Sequence, residues 1–141
     1  SAHRSRLAHA RASRRASAGT ARRAAVALIG KGLCFDTGGL NLKTAGSMLS
    51  MHSDMAGSAV ALGTLVALTE SGYPHPVDAW LVLAENRIGP DAYTQQDVIK
   101  TLNGTTVQVV HTDAEGRMVN SSFLDYRMPT ALAVPVWTMS P

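Results

Sequence analysis

Hydrophobic residues along the chain fall into short runs that glycine and proline separate. The continuous apolar run 24–29 ends at Gly30-Lys31-Gly32 and predicts a buried strand followed by its exit turn. Residues 58–71 carry apolar side chains on nearly every side and precede Gly72, which predicts a largely buried helix with a glycine C-cap. After two prolines, the apolar run 77–84 predicts a second buried strand.

The hydrophobic pattern after residue 84 predicts a further strand and, with it, a sheet. Asn103-Gly104 between two apolar segments predicts a hairpin with a two-residue loop, and hence a third strand that runs up to His111. Strand, helix, strand and hairpin together indicate the α/β class, with a mixed, largely parallel sheet flanked by helices. Within the run 131–138, Pro135 argues against a regular central strand.

The first 25 residues have a different composition from the rest. They consist almost wholly of Ser, Ala, Arg and His, without a hydrophobic period. Seven of the 13 basic residues lie there, whereas all 10 acids lie later, so residues 26–141 carry six positive and ten negative charges. We therefore predict a disordered tail over 1–25 and a mildly acidic domain over 26–141.

Three origins of the tail stay open, in this order of preference. It is an artefact of where the start of the chain was assigned, a mitochondrial transit peptide, or a basic arm for nucleic acid. A cytoplasmic location is predicted, or a mitochondrial one if the tail is a transit peptide. Two isolated tryptophans offer no platform for single-stranded nucleic acid, so a nucleic-acid partner is not expected.

Other function classes are disfavoured by what the sequence contains. No apolar run approaches the roughly 18 to 20 residues of a membrane span, so no membrane association is expected. Cys34 is the single cysteine, which excludes a disulfide within the chain. Its apolar neighbours predict a small, buried core residue rather than a nucleophile.

Two segments, 31–54 and 113–117, concentrate the unusual polar residues. Each comes directly after a predicted strand, and ligands of open α/β sheets bind beyond the carboxyl ends of the strands. The two loops would therefore bring four carboxylates to one edge, where divalent cations such as Mg, Mn or Zn would relieve their repulsion. Beside such cations Lys31 would lose its proton and become a neutral amine ligand. For any single residue, a solvated loop charge remains the alternative.

The same segments resemble the leucine aminopeptidase (cytosol aminopeptidase) family. The family's motifs are Gly-Lys-Gly-x-x-x-Asp-x-Gly-Gly, followed by Lys and Asp, and Asn-Thr-Asp-Ala-Glu-Gly-Arg. This chain has the first at 30–39, with Lys43 and Asp54 after it, and His-Thr-Asp-Ala-Glu-Gly-Arg at 111–117. The resemblance covers about residues 26–126 and implies an incomplete catalytic domain of that family.

The resemblance implies a metal-dependent aminopeptidase that removes N-terminal, leucine-type residues from peptides by two-metal hydrolysis. Its implied cofactors are two divalent ions, Zn or Mn with Mg also acceptable, and a bicarbonate ion as general base. It also implies that family members assemble as hexamers. The implied metal ligands are Lys31, Asp36, Asp54, Asp113 and Glu115, of which Asp36 and Glu115 bridge.

Four further positions take roles from the same resemblance. Lys43 would polarise the scissile carbonyl, and Arg117 would hold the bicarbonate. Met51 and His111 would contact substrate, although the family has Asn at the position of His111. Polar residues at 120–122, where the family packs Leu and Ala, motivate an alternative: a truncated or degenerate, non-catalytic homologue that acts as a binding or assembly subunit.

Overall fold

The computed structural model describes residues 6–12, 26–101, 104–118 and 132–136. Its regular elements comprise six strands, two α-helices and two 3₁₀ turns. They are β1 (Arg6–Ala12), β2 (Val26–Asp36), α1 (Ala45–Met48), a 3₁₀ turn (Met51–Ser53), α2 (Ala56–Glu70), β3 (Val77–Asn86), β4 (Val98–Lys100), β5 (Thr106–Gln108), a second 3₁₀ turn (Thr112–Ala114) and β6 (Leu132–Val136).

Four of the strands form one sheet, in the order β1-β3-β2-β6. β2 pairs parallel with both β3 and β6, and β1 pairs antiparallel with β3. Helix α2 packs on β2 and β3, where Ala61 and Leu65 meet Leu28, Val77 and Ala79 in the core. The predicted α/β class with a mixed, largely parallel sheet is thus confirmed.

Strand β2 is longer than predicted, and the predicted exit turn at Gly30-Lys31-Gly32 is wrong. These three residues continue the strand and pair with residues 81–83 of β3. Gly30 serves close packing instead, because a Cβ there would lie 2.6 Å from the carbonyl oxygen of Gly57 and from Cα of Ser58 in α2. The buried Ser58 hydroxyl donates a hydrogen bond to the Gly30 carbonyl at 2.9 Å. Helix α2 therefore lies directly on the backbone of β2.

Helix α2 ends as predicted but is less buried than predicted. The amide of Gly72, with φ of 73°, donates to Thr69 O, and the amide of Tyr73 donates to Leu68 O. Together they form a Schellman C-cap. Three apolar side chains on the outer side of the helix are 42–48% exposed, so the prediction of a largely buried helix is wrong for that side: Val60, Leu62 and Val66.

The hairpin is present, but its details differ from the prediction. β4 and β5 pair antiparallel with Lys100 opposite Thr106, which leaves a five-residue loop rather than a two-residue one. Asn103 lies outside the described residues, and Gly104 has a φ of +92°. β5 ends at Gln108 in a separate two-stranded sheet. The predicted third strand therefore neither reaches His111 nor joins the main sheet.

Two predictions about individual segments are also corrected. Residues 6–12 form β1, paired along their length with β3, so the predicted disorder is wrong for these seven residues, while 1–5 and 13–25 lie outside the described residues. Cys34 is exposed, not buried, because its side chain lies on the opposite side of β2 from the buried Leu33. Pro135 lies in β6, at the end of the described strand order, where proline is tolerated.

Among the described residues, no helix has both the length and the apolar character that a membrane span requires.

Candidate metal centre

The candidate site lies where β2 and β3 end at the same edge of the sheet. Asp36 is the last residue of β2 and pairs with Asn86, the last residue of β3, after a register shift between Leu33 and Asp36. Thr37 fixes this pairing, since its amide and its hydroxyl both donate to the Asn86 carbonyl, at 2.9 and 2.8 Å. Asp36 is only 2% exposed. The sheet therefore holds a buried carboxylate at a defined position.

The loop after β2 folds back over Asp36. Gly38, with φ of +85°, donates its amide to Asp36 Oδ1 at 2.8 Å. The amide of Lys43 donates to Thr37 O at 2.9 Å and so closes the loop. As a result Lys43 Nζ lies 3.2 Å from Asp36 Oδ2 and also forms an ion pair with Asp113.

Lys31 makes the second set of ion pairs from within β2. Its Nζ lies 2.7 Å from Asp54 Oδ2 and 2.8 Å from Glu115 Oε1. Asp54 stands just before α2, where its amide donates to Met51 O at 3.3 Å. Gly116 leaves room for the lysine stem, because a Cβ there would lie 3.0 Å from Lys31 Cδ and Cε.

Side-chain hydrogen bonds tie the second polar segment to the first. The buried Thr112 hydroxyl donates to Gly38 O at 2.6 Å and accepts from the amide of Asn41 at 2.8 Å, and the Thr112 amide donates to Asn41 Oδ1 at 2.8 Å. The prediction that both loops directly follow strands of one sheet is wrong for the second loop, since residues 109–112 intervene and β5 belongs to the other sheet. The Thr112–Asn41 contacts bring the two segments together instead.

Three of the four predicted carboxylates converge, whereas Asp113 is not part of this group and is connected to it through its ion pair with Lys43. Asp36, Asp54 and Glu115 each offer an oxygen within 4.8 Å of the others. Two buried oxygens, Asp54 Oδ2 and Asp113 Oδ1, lie against lysine Nζ atoms but have no hydrogen bond of good geometry within the described part of the chain. Hard oxygen donors with unused lone pairs are what divalent cations such as Mg, Mn and Zn coordinate. The residues present therefore fit a metal centre.

Burial and neighbouring charges shift four pKa values in the metal-free site. Burial raises the pKa of Asp36, but the Gly38 amide, Asn86 and Lys43 outweigh it, so that pKa is lowered. Burial raises the pKa of Asp54, and the nearby Asp36 and Glu115 charges add to the effect against the opposing Lys31. Burial lowers the pKa of Lys31 and Lys43, but their carboxylate partners prevail and raise both. Both lysines are thus cations here.

The other three predicted site residues are placed as follows. Met51 is buried, 6% exposed, in the 3₁₀ turn that precedes Asp54. His111 is exposed, and its Nδ1 accepts the Asp113 amide at 3.2 Å as the cap of the second turn. Arg117 is exposed in the helical backbone of residues 115–118. His111 therefore has a local structural contact that the sequence analysis did not predict.

Sequence reasoning missed Asn86 at the centre of the site. Its Nδ2 lies 2.9 Å from Asp36 Oδ1, 3.0 Å from Thr112 O and 3.4 Å from Glu115 Oε2. The rule about strand ends that singled out Asp36 applies equally to β3. Had the end of β3 been placed at 86 rather than at 84, that rule would have found Asn86.

Comparison with known proteins identifies relatives by sequence. Residues 1–134 match the model of the cytosol aminopeptidase family, catalytic domain. A probable cytosol aminopeptidase of Micrococcus luteus is 48% identical over 99 residues, which are 70% of this chain and 19% of that protein.

Solved structures agree in fold. A leucyl aminopeptidase from Trypanosoma brucei in complex with bestatin superposes with a TM-score of 0.81 at 32% identity, covering 93% of this chain and 25% of that one. The bottromycin maturation enzyme BotP in complex with Mn gives 0.77 at 35% identity, covering 93% and 28%. The chain thus spans about a fifth to a quarter of the length of these relatives.

Proposed function

The chain belongs to the cytosol aminopeptidase family, and from this premise we propose that it is a catalytic portion of a metal-dependent aminopeptidase. Its substrates are peptides, from which it removes N-terminal residues of the leucine type. The observation that carries the proposal is the convergence of Asp36, Asp54 and Glu115, with ligand oxygens within 4.8 Å of one another, in a chain of this family. An Mn-bound relative of similar fold supports a divalent ion.

Two divalent ions, Zn, Mn or Mg, are proposed for the site. Asp36, Asp54, Asp113 and Glu115 would hold them, together with Lys31, which would have to lose its proton beside the cations to bind as a neutral amine. Bound ions would supply a water of lowered pKa and polarisation of the scissile carbonyl. The closeness of the Asp36, Asp54 and Glu115 oxygens supports this assignment, since each carboxylate oxygen keeps a further lone pair beside its lysine contact.

The positive side chains around the carboxylates take the remaining chemical roles. Lys43 donates a hydrogen bond to the carbonyl oxygen of the substrate. Arg117, exposed near Glu115, offers a permanent positive charge for bicarbonate, the proposed general base. Met51 and His111 contact the substrate's first residue. The burial of Met51, one turn before Asp54, supports its proposed role as a residue that contacts the substrate side chain.

Location and assembly extend the proposal. A cytoplasmic location follows from the name of the relatives, with a mitochondrial one as the alternative if the Arg-rich segment is a transit peptide. Assembly into a homo-oligomer, a hexamer by family resemblance, is proposed for the protein. The exposed apolar side chains of α2, Val60, Leu62 and Val66, are of the kind that an interface buries.

Hydrolysis of leucine p-nitroanilide with added Mn²⁺ or Zn²⁺ tests the proposal. We expect metal-dependent release of p-nitroaniline that Asp36→Asn abolishes and that Lys43→Ala lowers by about 10²–10³-fold, the usual cost of losing one oxyanion donor. Lys100→Ala, which removes an exposed lysine of β4, is the matched control and should leave the rate unchanged. A chain that binds the metals tightly yet hydrolyses nothing would instead favour the non-catalytic binding or assembly subunit.

A further inference from the structure

Asn86 is the one uncharged side chain that reaches both Asp36 and Glu115 among the described residues. Its Nδ2 lies 2.9 Å from Asp36 Oδ1 and 3.4 Å from Glu115 Oε2. The third neighbour of the same nitrogen is Thr112 O, at 3.0 Å; because the NH₂ group has two hydrogens, the longest contact, to Glu115, shares a hydrogen with one of the two shorter ones. All three neighbours are acceptors only, so the amide must present its NH₂ group and not its oxygen to them. The orientation of the side chain is thereby determined.

The backbone around Asn86 leaves the amide little freedom to move. The Asn86 carbonyl accepts two hydrogen bonds from Thr37, and the residue is paired with Asp36 across the strand ends. On the other side of the amide, Oδ1 faces Gly39, where a Cβ would approach it to 3.0 Å. The Asn86 side chain is held by acceptors on its Nδ2 side and by Gly39 on its Oδ1 side. A side chain fixed in this way is suited to position other groups.

In both Asp36 and Glu115, one carboxylate oxygen contacts Asn86 and the other contacts a lysine. Asp36 directs Oδ1 to Asn86 and Oδ2 to Lys43. Glu115 directs Oε2 to Asn86 and Oε1 to Lys31. One amide therefore sets the relative orientation of two carboxylates that come from different segments of the chain, and the lysines hold the oxygens that face away from it.

We propose that Asn86 is a positioning residue, which orients Asp36 and Glu115 for the divalent metal ions without binding either ion. This inference rests on the proposed function, because it assumes that these carboxylates hold metal. Hydrogen bonds to ligating carboxylates set ligand orientation, and their loss weakens metal binding by about 10- to 100-fold. Asn86 also bonds the carbonyl of Thr112, and so connects the carboxylates to the turn that carries Asp113.

The test is isothermal titration of the metal-free chain with Mn²⁺, comparing the parent with Asn86→Ala. We expect the variant to bind Mn²⁺ about tenfold or more weakly while its far-UV circular dichroism stays that of the parent. Asn86→Leu removes the donor at similar volume, and serves if the alanine variant does not fold. Thr37→Val tests the sheet edge by itself: it removes the hydroxyl that donates to the Asn86 carbonyl and accepts from the Gly39 amide, but no contact with a carboxylate, and should weaken Mn²⁺ binding less than either Asn86 variant does.

The outcomes separate the two proposals. If the parent binds Mn²⁺ and both Asn86 variants bind it with the parent's affinity and stoichiometry, the positioning role is overturned while the metal centre stands. If Thr37→Val weakens binding as much as Asn86→Ala, a general loosening of the sheet edge is the cause and the role is likewise overturned. If the parent itself binds no Mn²⁺ or Zn²⁺, the proposed metal centre fails first, and the role of Asn86 with it.

Discussion

The contact between α2 and the backbone of β2 predicts opposite effects for two Gly→Ala substitutions. At Gly30 a Cβ would lie 2.6 Å from Gly57 O and 2.6 Å from Ser58 Cα, both backbone atoms that cannot rotate away. At Gly63, in the middle of α2, a Cβ would meet nothing within 4 Å. Gly30→Ala must therefore push the helix off the strand, whereas Gly63→Ala only replaces a poor helix former by the best one.

The magnitudes follow from the two environments. Overpacking a close-packed contact costs typically about 1–3 kcal/mol. Displacement of α2 also breaks the buried hydrogen bond from Ser58 Oγ to Gly30 O, which adds about 1 kcal/mol. We expect Gly30→Ala to lower the free energy of unfolding by about 2–4 kcal/mol. Gly63→Ala should raise it by about 0.5–1 kcal/mol, through the lost flexibility of glycine in the unfolded chain.

Urea denaturation followed by circular dichroism at 222 nm measures both effects on the metal-free chain. Because Asp54 stands immediately before α2, the Gly30 variant should also bind Mn²⁺ more weakly in a titration, and the Gly63 variant should not. A Gly30→Ala midpoint equal to that of the parent would refute the close approach of α2 to β2. A destabilised Gly63→Ala would show that the outer side of α2 is packed against something in solution.

Three further predictions concern the site. Mn²⁺ should stabilise the chain by about 2.7 kcal/mol at a free concentration one hundred times its Kd, and excess EDTA should reverse the shift in thermal melts; an unchanged melt would contradict a folded-state metal site. The raised pKa of Asp54 means that its ionisation disfavours the metal-free fold, so Asp54→Asn should gain stability relative to the parent as pH rises from 4 to 7, and a relative loss would contradict it. Thr112→Val should cost about 1–3 kcal/mol in urea denaturation by leaving buried partners unpaired, whereas the exposed Thr106→Val should stay within about 0.5 kcal/mol; equal losses would refute the Thr112 linkage.

The sequence was sufficient for the class of the fold and for singling out Asp36, Asp54 and Glu115, which the structure brings together. Apolar runs that are continuous predict buried parallel strands, and β2 and β3 both follow this rule. The role of Gly30 was not predictable in the same way, because glycine before a polar loop is typical of a turn as well as of close helix packing. Only the position of Gly57 and Ser58 in space distinguishes the two.

Contacts between segments distant in the chain account for the other differences. β1 has no hydrophobic period of its own, and its backbone pairing with β3 overrides the composition that predicted disorder. The second polar segment reaches the site through Thr112 and Asn41, which are 71 positions apart. Both side chains are uncharged, so a search of the sequence for charged or metal-ligating residues does not select them.

The two lysines offset part of the negative charge that the carboxylates bring together. Four carboxylates, from Asp36, Asp54, Asp113 and Glu115, face the two ammonium groups of Lys31 and Lys43, which leaves about two uncompensated negative charges. Each lysine bridges two acids from different segments, so the repulsion among the acids is reduced where it would most oppose folding. Bound cations would replace the lysines as partners of the carboxylate oxygens, and Lys31 would then lose its proton and act as a neutral amine ligand. The two uncompensated negative charges are what attracts divalent cations to this site.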